Sequence, residues 1–334
     1  MYYVYFDSGT TNTRVYLIKD RQVMAYGKQA IGSKDSSIAG DSAVLIRGIK
    51  ELYDRMLNEN NLSDQDITEI YASGMVTSPF GIKEVPHVTV PVSIDKLHSQ
   101  IYSYDEPDFF KREIKLIRGV KTIPDGFVVD RNNIIDVNNM RGEEVEIFGL
   151  LAHLPVMRRS KPTAVFLPGS HTHVVYIENG VIQDILSNFC GELFYAISSS
   201  TILSSSIDSQ IEKLDEEMLR MGYEKLTEYG INRALYLVNA MKIFDILTKT
   251  ERTSYFEGVI VGGVIQAFEK TRTKKWKNVE EVIVAGGGAM ADACAILLKA
   301  LYKDMNVNVL NAPEPDSFAA KGFLALLELE ERNV

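Results

Sequence analysis

The chain is poor in cysteine and tryptophan and has fewer cationic than acidic residues, and these shortages remove whole classes of function. Two cysteines among 334 residues, Cys190 and Cys294, make neither a disulfide framework nor a cysteine metal cluster, and their scarcity suits a reducing cytoplasm. No apolar run approaches the ~18 residues of a membrane span. The opening segment, MYYVYFDSGTTN, lacks the basic segment and apolar core of a secretory leader and reads as a strand entering a turn. With 36 Lys+Arg against 45 Asp+Glu, the net charge is −9. That opposes general nucleic-acid binding, which needs a positive field to displace counterions, but leaves room for one small anion held by local dipoles. The remainder is ordinary globular material, 46% hydrophobic and 24% charged, enough for one large domain or two.

Short apolar runs punctuated by turn residues open the chain: Val4-Tyr5-Phe6, then Ser8 to Asn12, then Val15 to Ile18, then Lys19-Asp20-Arg21 and a third run, Gln22 to Ala25. This is a strand hairpin pattern. Val44, Leu45, Ile49, Leu52 and Met56 follow at helical spacing within 42–59, and Ile67–Ala72 reads as a strand ending in Ser73-Gly74-Met75. The opening pattern recurs at 164–183. Slid forward by 160 positions, Phe6 falls on Phe166, Gly9 on Gly169, Thr10 on Ser170, Val15 on Val175 and Tyr16 on Tyr176. Chance is one explanation; a duplicated domain is the sharper one. The Pro-, Asp- and Asn-bearing stretch 123–139 is the expected junction, giving domains 1–138 and 139–334. Residues 142–157 read as helical, 198–206 as a loop or helix start, 270–277 as a solvated basic surface, 293–301 as a helix, and 317–330 as an amphipathic helix that could return to the first domain.

Four segments could carry chemistry. Asp7 to Asn12 is a turn of small residues whose N–H groups and hydroxyls suit a phosphate. Asp7 ends a buried strand, which is costly without a cation; hydrated Mg²⁺ would serve. The plain alternative is a turn with Asp7 capping backbone N–H groups. Gly169-Ser170-His171-Thr172 is the second copy of that loop, with Leu167 where the first copy has its aspartate. His171 and His173 share a strand face, too few ligands for a zinc site. Gly286, Gly287 and Gly288 stand between a buried strand and a helix, where glycine lets backbone approach a ring or phosphate. Gly286, Gly288 and Ala291 also fit a loose dinucleotide fingerprint, but too little chain follows to complete such a sheet, and a plain strand–helix turn is the other alternative. Finally, Arg141, Glu143 and Glu144 sit at the domain junction, where a carboxylate could take a proton from a hydroxyl; acidic residues favouring a helix N-terminus explain the same pattern.

The hairpin pair, the Asp7–Asn12 loop and the late glycine turn together resemble the sugar kinase, heat-shock ATPase and actin superfamily. More narrowly, the chain resembles the 2-dehydro-3-deoxygalactonokinase family nearly end to end. The resemblance rests on FDSGTTNTRVYL at 6–17, SGMVTSPFGIKEVPHVTVP at 73–91, MRGEEVEIFG at 140–149, FLPGSHTHVVYIENGVI at 166–182 and CGELF at 190–194. The chain departs from the family in lacking a Trp before its first Ser-Gly pair, where Asp7 stands, and in carrying His173 where Lys is common. The resemblance implies an α/β fold of duplicated actin-like, ribonuclease H-like domains with a central cleft. It implies ATP and Mg²⁺ as cofactors and phosphorylation of the terminal hydroxyl of a 2-keto-3-deoxy sugar acid, 2-dehydro-3-deoxy-galactonate to its 6-phosphate. Asp7 would organise Mg²⁺ through water. Gly9, Thr10, Thr11, Asn12, Gly169, Ser170, His171 and Thr172 would hold phosphates, and Gly286 to Gly288 would lie under adenosine. Arg14, Met75, Thr77, Ser78, His87 and Arg141 would meet the sugar acid, with Glu143 as base and Glu144 in reserve. The expected partner is the small sugar acid, with no nucleic acid and no membrane; a homodimer is left open. An ATP-binding sugar sensor or a kinase for a different sugar is the runner-up, and a nicotinamide oxidoreductase built on 282–292 a distant third.

Overall fold

The computed structural model describes residues 1–208, 211 and 213–332. They form two compact units, one of Met1–Ser160, Gly180–Gln183 and the described residues from Ala312 onward, the other of Lys161–Asn179 and the described part of Asp184–Asn311. The units therefore divide at Ser160/Lys161, where the sequence places its junction at 138/139.

In the first unit, β1 (Tyr2–Ser8), β2 (Thr13–Lys19) and β3 (Gln22–Gln29) form an antiparallel meander. After α1 (Ser33–Ala39) and α2 (Ala43–Glu59), β4 (Ile67–Gly74) returns parallel to β1. β5 (Val88–Thr89) and α3 (Ile94–Ser99) precede β6 (Tyr102–Glu106) and β7 (Arg112–Leu116). The main sheet runs β3-β2-β1-β4-β7-β6, and β8 (Val120–Lys121) and β9 (Asn139–Met140) join β5 in a small second sheet. α4 (Glu143–His153) and α5 (Val156–Arg159) complete this stretch. The helix expected over 142–157 is thus broken: Leu154, before Pro155, takes an extended conformation (ψ 146°), as the proline ring requires of its predecessor.

β1 is buried along nearly its whole length because it is covered on both faces. Val4 and Phe6 pack with Leu45, Ile49, Leu52 and Met56 of α2. On the other face Tyr5 stacks on Phe323, with ring centroids 4.5 Å apart. Phe323 belongs to α11 (Phe318–Arg332), the C-terminal helix of this unit. α11 lies against α4 at glycine contacts: a Cβ on Gly149 would come 1.8 Å from the Phe318 carbonyl oxygen, and one on Gly322 would come 1.9 Å from that of Val145. Gly149→Ala must force the helices apart. It is expected to cost about 3 kcal/mol, read as a lower denaturant midpoint; an unchanged midpoint would refute so close an approach.

In the second unit, β10 (Thr163–Leu167), β11 (His171–Glu178) and β12 (Val181–Phe189) form the other meander. α6 (Gly191–Ser200), α7 (Glu216–Tyr229), α8 (Ile231–Ile243) and α9 (Lys249–Lys274) follow, then β13 (Glu281–Ala285), α10 (Ala289–Leu301) and β14 (Asn306–Leu310). The sheet order is β12-β11-β10-β13-β14, with β13 parallel to β10 and β14. Each unit therefore orders its strands third, second, first, fourth from its own hairpin. The second loop is one residue shorter than the uniform shift of 160 assumes: Phe6 pairs with Val15, but Phe166 pairs with Val174 rather than Val175. The serine-rich stretch from 198 closes α6, where Ser198 and Ser199 donate to the Tyr195 carbonyl, and then starts a short 3-10 turn, Ile202–Ser205, capped by the Thr201 hydroxyl. α10 begins at Ala289, a turn earlier than the sequence suggests. Among the described residues, no helix is long and apolar enough to cross a membrane.

Candidate active site

The carboxyl ends of the parallel strands β1 and β4 meet the N-terminus of α4, the kind of position where open α/β sheets bind ligands. Glycine makes the approach feasible. Gly74, at φ 82°, ends β4 where a Cβ would strike the Ser8 carbonyl oxygen at 2.3 Å. Gly142, at φ 105°, caps α4 with its Cβ position 3.3 Å from the Gly74 Cα and 3.8 Å from Asp7 Oδ1. An L side chain at either site would be strained by conformation alone.

Asp7 is buried, and its compensating cation comes from the chain itself. Antiparallel register sets Asp7 opposite Arg14, and Arg14 Nη1 donates to Asp7 Oδ2 at 2.9 Å. Burial pushes the Asp7 carboxyl up; the Arg14 charge and hydrogen bond pull it back only in part. Arg14 Nε also pairs with Glu314 at 3.2 Å, and Glu314 accepts the Tyr16 hydroxyl at 2.8 Å. Arg14, expected at the substrate, thus spends its guanidinium on two carboxylates. The adjoining loop is closed by the Gly9 N–H to the Asn12 carbonyl (2.8 Å). The Asn12 amide donates to the Thr11 hydroxyl (2.9 Å), and the Thr10 carbonyl accepts the Lys34 N–H (3.0 Å).

Three glutamates crowd the first turn of α4, in distinct environments. Glu143 Oε2 accepts the Arg141 N–H at 3.1 Å. Burial, reinforced by the Asp7 charge, pushes its carboxyl up to about 7. Glu144 is fully buried, and both its oxygens lie 2.9 Å from the Gly142 N–H; burial and the Glu143 charge raise it well above the usual carboxylate range. Glu146, which the sequence reading passed over, is pushed up to about 8 by burial, then by Asp7 and Glu143. Its signal was present in MRGEEVE, since residues three apart share a helix face.

The 75–87 segment and Arg141, which the resemblance assigns to the sugar acid, are in contact. Arg141 Nη1 donates to Thr77 Oγ1 at 2.6 Å and Nη2 to the Val85 carbonyl at 3.1 Å, with His87 Nδ1 at 3.4 Å. Burial and the Arg141 charge hold His87 down at about 4, so it is neutral near pH 7. Thr77 and Ser78 donate back to the Gly74 and Met75 carbonyls, at 2.9 and 2.7 Å, bracing the Met75–Thr77 turn. Among the described residues, no carboxylate hydrogen-bonds or ion-pairs with the Arg141 side chain.

In the second unit, Gly169, Ser170 and His171 are exposed, and the loop rests on α6, where the Glu192 N–H donates to the Ser170 carbonyl at 2.9 Å. Thr172 and Cys190 both contact Met290 Sδ, at 3.8 and 3.6 Å, which brings this loop beside the start of α10. His173 is buried with Nδ1 3.0 Å from Ser187 Oγ. Gly286 and Gly288 hold φ of 109° and 90° with open space at their Cβ positions, whereas a Cβ on Gly287 would meet Asn311 Nδ2 at 3.0 Å. Among the described residues, no group of three or more His, Cys, Asp or Glu side chains could hold a metal ion.

Residues 7–324 match the 2-keto-3-deoxy-galactonokinase family. The chain is 22% identical over 264 residues to the 2-dehydro-3-deoxygalactonokinase of Escherichia coli (strain K12), covering 79% of each chain. It is 26% identical over 207 residues to a Rhizobium meliloti (strain 1021) protein given the same kinase assignment, covering 62% of this chain and 59% of that one. A crystal structure of a Sinorhizobium meliloti protein, also assigned as a 2-dehydro-3-deoxygalactonokinase, superimposes with a TM-score of 0.74 at 21% identity over 99% of both chains.

Proposed function

This chain belongs to the 2-keto-3-deoxy-galactonokinase family and is a sugar-acid kinase; from that premise we propose that it transfers the γ-phosphoryl group of ATP to the terminal hydroxyl of 2-dehydro-3-deoxy-galactonate, giving the 6-phosphate. The observation that carries the sugar-acid substrate is Arg141. Its guanidinium is held in place by neutral acceptors, and among the described residues no carboxylate hydrogen-bonds or ion-pairs with it, the Glu144 and Glu84 charges acting on it only through space. A sugar without a carboxylate would not use that charge; a sugar acid pairs with it bidentately. Neutral His87, Met75, Thr77 and Ser78 line the same segment, and Glu143 on the neighbouring turn takes the proton of the attacking hydroxyl. Glu144, sealed from solvent, serves the fold of the turn. Arg14 acts on the reaction through Asp7, which it orients.

The residues present fit a hydrated Mg²⁺. Asp7 Oδ1 is outside the Arg14 pair, and Mg²⁺ takes few carboxylates and keeps its waters. Asp7 would hold it through water, and the ion would neutralise charge on the phosphates. Gly9 to Asn12 in one unit and Gly169 to Thr172 in the other serve as phosphate loops, and Gly286 to Gly288 as the adenosine turn. The recurring strand order supports reading the units as duplicated actin-like domains, divided at Ser160/Lys161 with α11 in the first.

An ATP-consumption screen over 2-keto-3-deoxy sugar acids and their neutral sugar counterparts tests this reading. Turnover is expected on the acids and not on the neutral sugars; the reverse would refute it. Arg141→Ala is expected to raise the sugar-acid KM about 10- to 150-fold, the range of a charged hydrogen bond worth roughly 1.5–3 kcal/mol, while the ATP KM stays put. Gly288→Val, which puts a β-branched residue at positive φ, is expected to raise the ATP KM selectively; equal loss of both ligands would indicate misfolding of the turn.

A further inference from the structure

The sequence of α8, INRALYLVNAMKI, puts hydrophobic residues around the whole circumference of the helix, the pattern of a helix enclosed in an interior. Yet the fold buries α8 along one face only. There Ala234 and Val238 are covered, and the Ala234 carbonyl accepts the Tyr255 hydroxyl of α9 at 3.2 Å. The opposite face carries Tyr236 and Ile243, which lie two turns apart on the same side, with Ala240 between them. Tyr236, Ile243, Phe244 and Ile246 are 54, 64, 73 and 65% exposed, and Ile231 is 40% exposed. These five residues bare on the order of 600 Å², the upper end for the largest patch on a typical monomer, where such a patch is often functional. Exposed Asn232, Arg233, Lys242 and Asp245 rim it and bring it near the ~800 Å² that each partner buries in a standard interface.

We propose that two copies of this chain associate through this face of α8, the two helices crossing antiparallel about a two-fold axis at Asn239–Ala240. A two-fold interface must be complementary to itself, and this face is. Residues equally distant from the axis oppose each other, so Tyr236 of one copy meets Ile243 of the other, and the small Ala240 at the crossing lets the backbones approach. Arg233 and Asp245, each about 8–10 Å from the midpoint, meet as opposite charges at both ends. Within one chain Arg233 lies over the Tyr236 ring at 5.7 Å, and among the described residues neither Arg233 nor Asp245 has an ion pair. An apolar centre with its charges at the rim is the anatomy of a protein interface. The net charge of −9 disfavours an anionic membrane as the occupant.

Sedimentation velocity of the full chain at micromolar concentration tests this, and a mass of two chains is expected. Ile243→Asp changes an exposed residue and is expected to weaken association about 100-fold or more, leaving a monomer whose circular dichroism matches the wild type. Arg233→Glu, which sets like charges against each other, is expected to weaken it about tenfold. Ala240→Cys is expected to cross-link to its own counterpart under mild oxidation, since the native Cys190 and Cys294 are buried; Glu51→Cys, exposed on α2, is the control that should not. A monomeric wild type, a dimer that persists in Ile243→Asp, or a monomer that pellets with phosphatidylglycerol vesicles would overturn the proposal. So would Ala240→Cys cross-linking no faster than Glu51→Cys.

Discussion

Glu143→Gln is expected to lower kcat by roughly 10²–10⁴-fold, the usual cost of a lost general base, with little change in the sugar-acid KM. The reason is the position of its carboxyl. Burial beside Asp7 pushes it up to about 7, where a group is mostly ionised just above neutrality yet basic enough to accept a hydroxyl proton. The pH profile should follow. Below about 7 the group is protonated and cannot act, so kcat should rise with pH through that value in the wild type, and this limb should disappear in Glu143→Gln. Stability should move the other way. A carboxyl raised in the folded state binds its proton more tightly than in the unfolded chain, so its contribution falls as pH rises from the ordinary carboxylate range to about 7. Glu143→Gln should flatten that slope. Glu144→Gln is the control: the side chain is fully buried on the Gly142 N–H, so kcat should stay within a few-fold of wild type. If both variants keep most of their kcat, the base is elsewhere, and Glu146 is the next to replace.

Asp7→Asn is expected to reduce turnover by about 10³-fold or more at saturating Mg²⁺, because phosphoryl transfer is catalysed chiefly by positioning and charge stabilisation. The protein should still fold. Asparagine keeps a hydrogen-bond acceptor for Arg14, and Arg14 retains Glu314 at 3.2 Å; Asp7→Ala would be worse, since it removes the acceptor as well and leaves that Arg14 donor unsatisfied. A denaturation midpoint measured beside kcat separates the two effects. Near-wild-type turnover with a lowered midpoint would make Asp7 a structural anchor for Arg14 and remove it from the chemistry.

Asp7 also shows how far the sequence reaches. Its place at the end of a buried strand, before a loop of small residues, was legible from composition and turn chemistry. That Arg14 answers it was legible in principle, since a hairpin that pairs Phe6 with Val15 must pair Asp7 with Arg14. Glu314 was not, because three hundred residues separate it from Arg14 and no local pattern links them. Glu143 and Glu144 looked interchangeable as adjacent carboxylates. They differ only because α4 turns one toward the Arg141 N–H and seals the other inside the unit.

The sequence by itself determined the local devices: the two hairpins, the glycine turns at 74, 142 and 286–288, and a family resemblance carried by short contiguous motifs. Each depends on backbone conformation or side-chain type within a few residues, which sequence states directly. Tertiary structure alone decided which charges are neutralised, which carboxyl is held near 7, that Arg141 is braced by Thr77 and Val85, and that α4 and α11 touch at Gly149 and Gly322. Those properties come from burial and from contacts between distant segments, and desolvation and ion pairing act through space rather than along the chain.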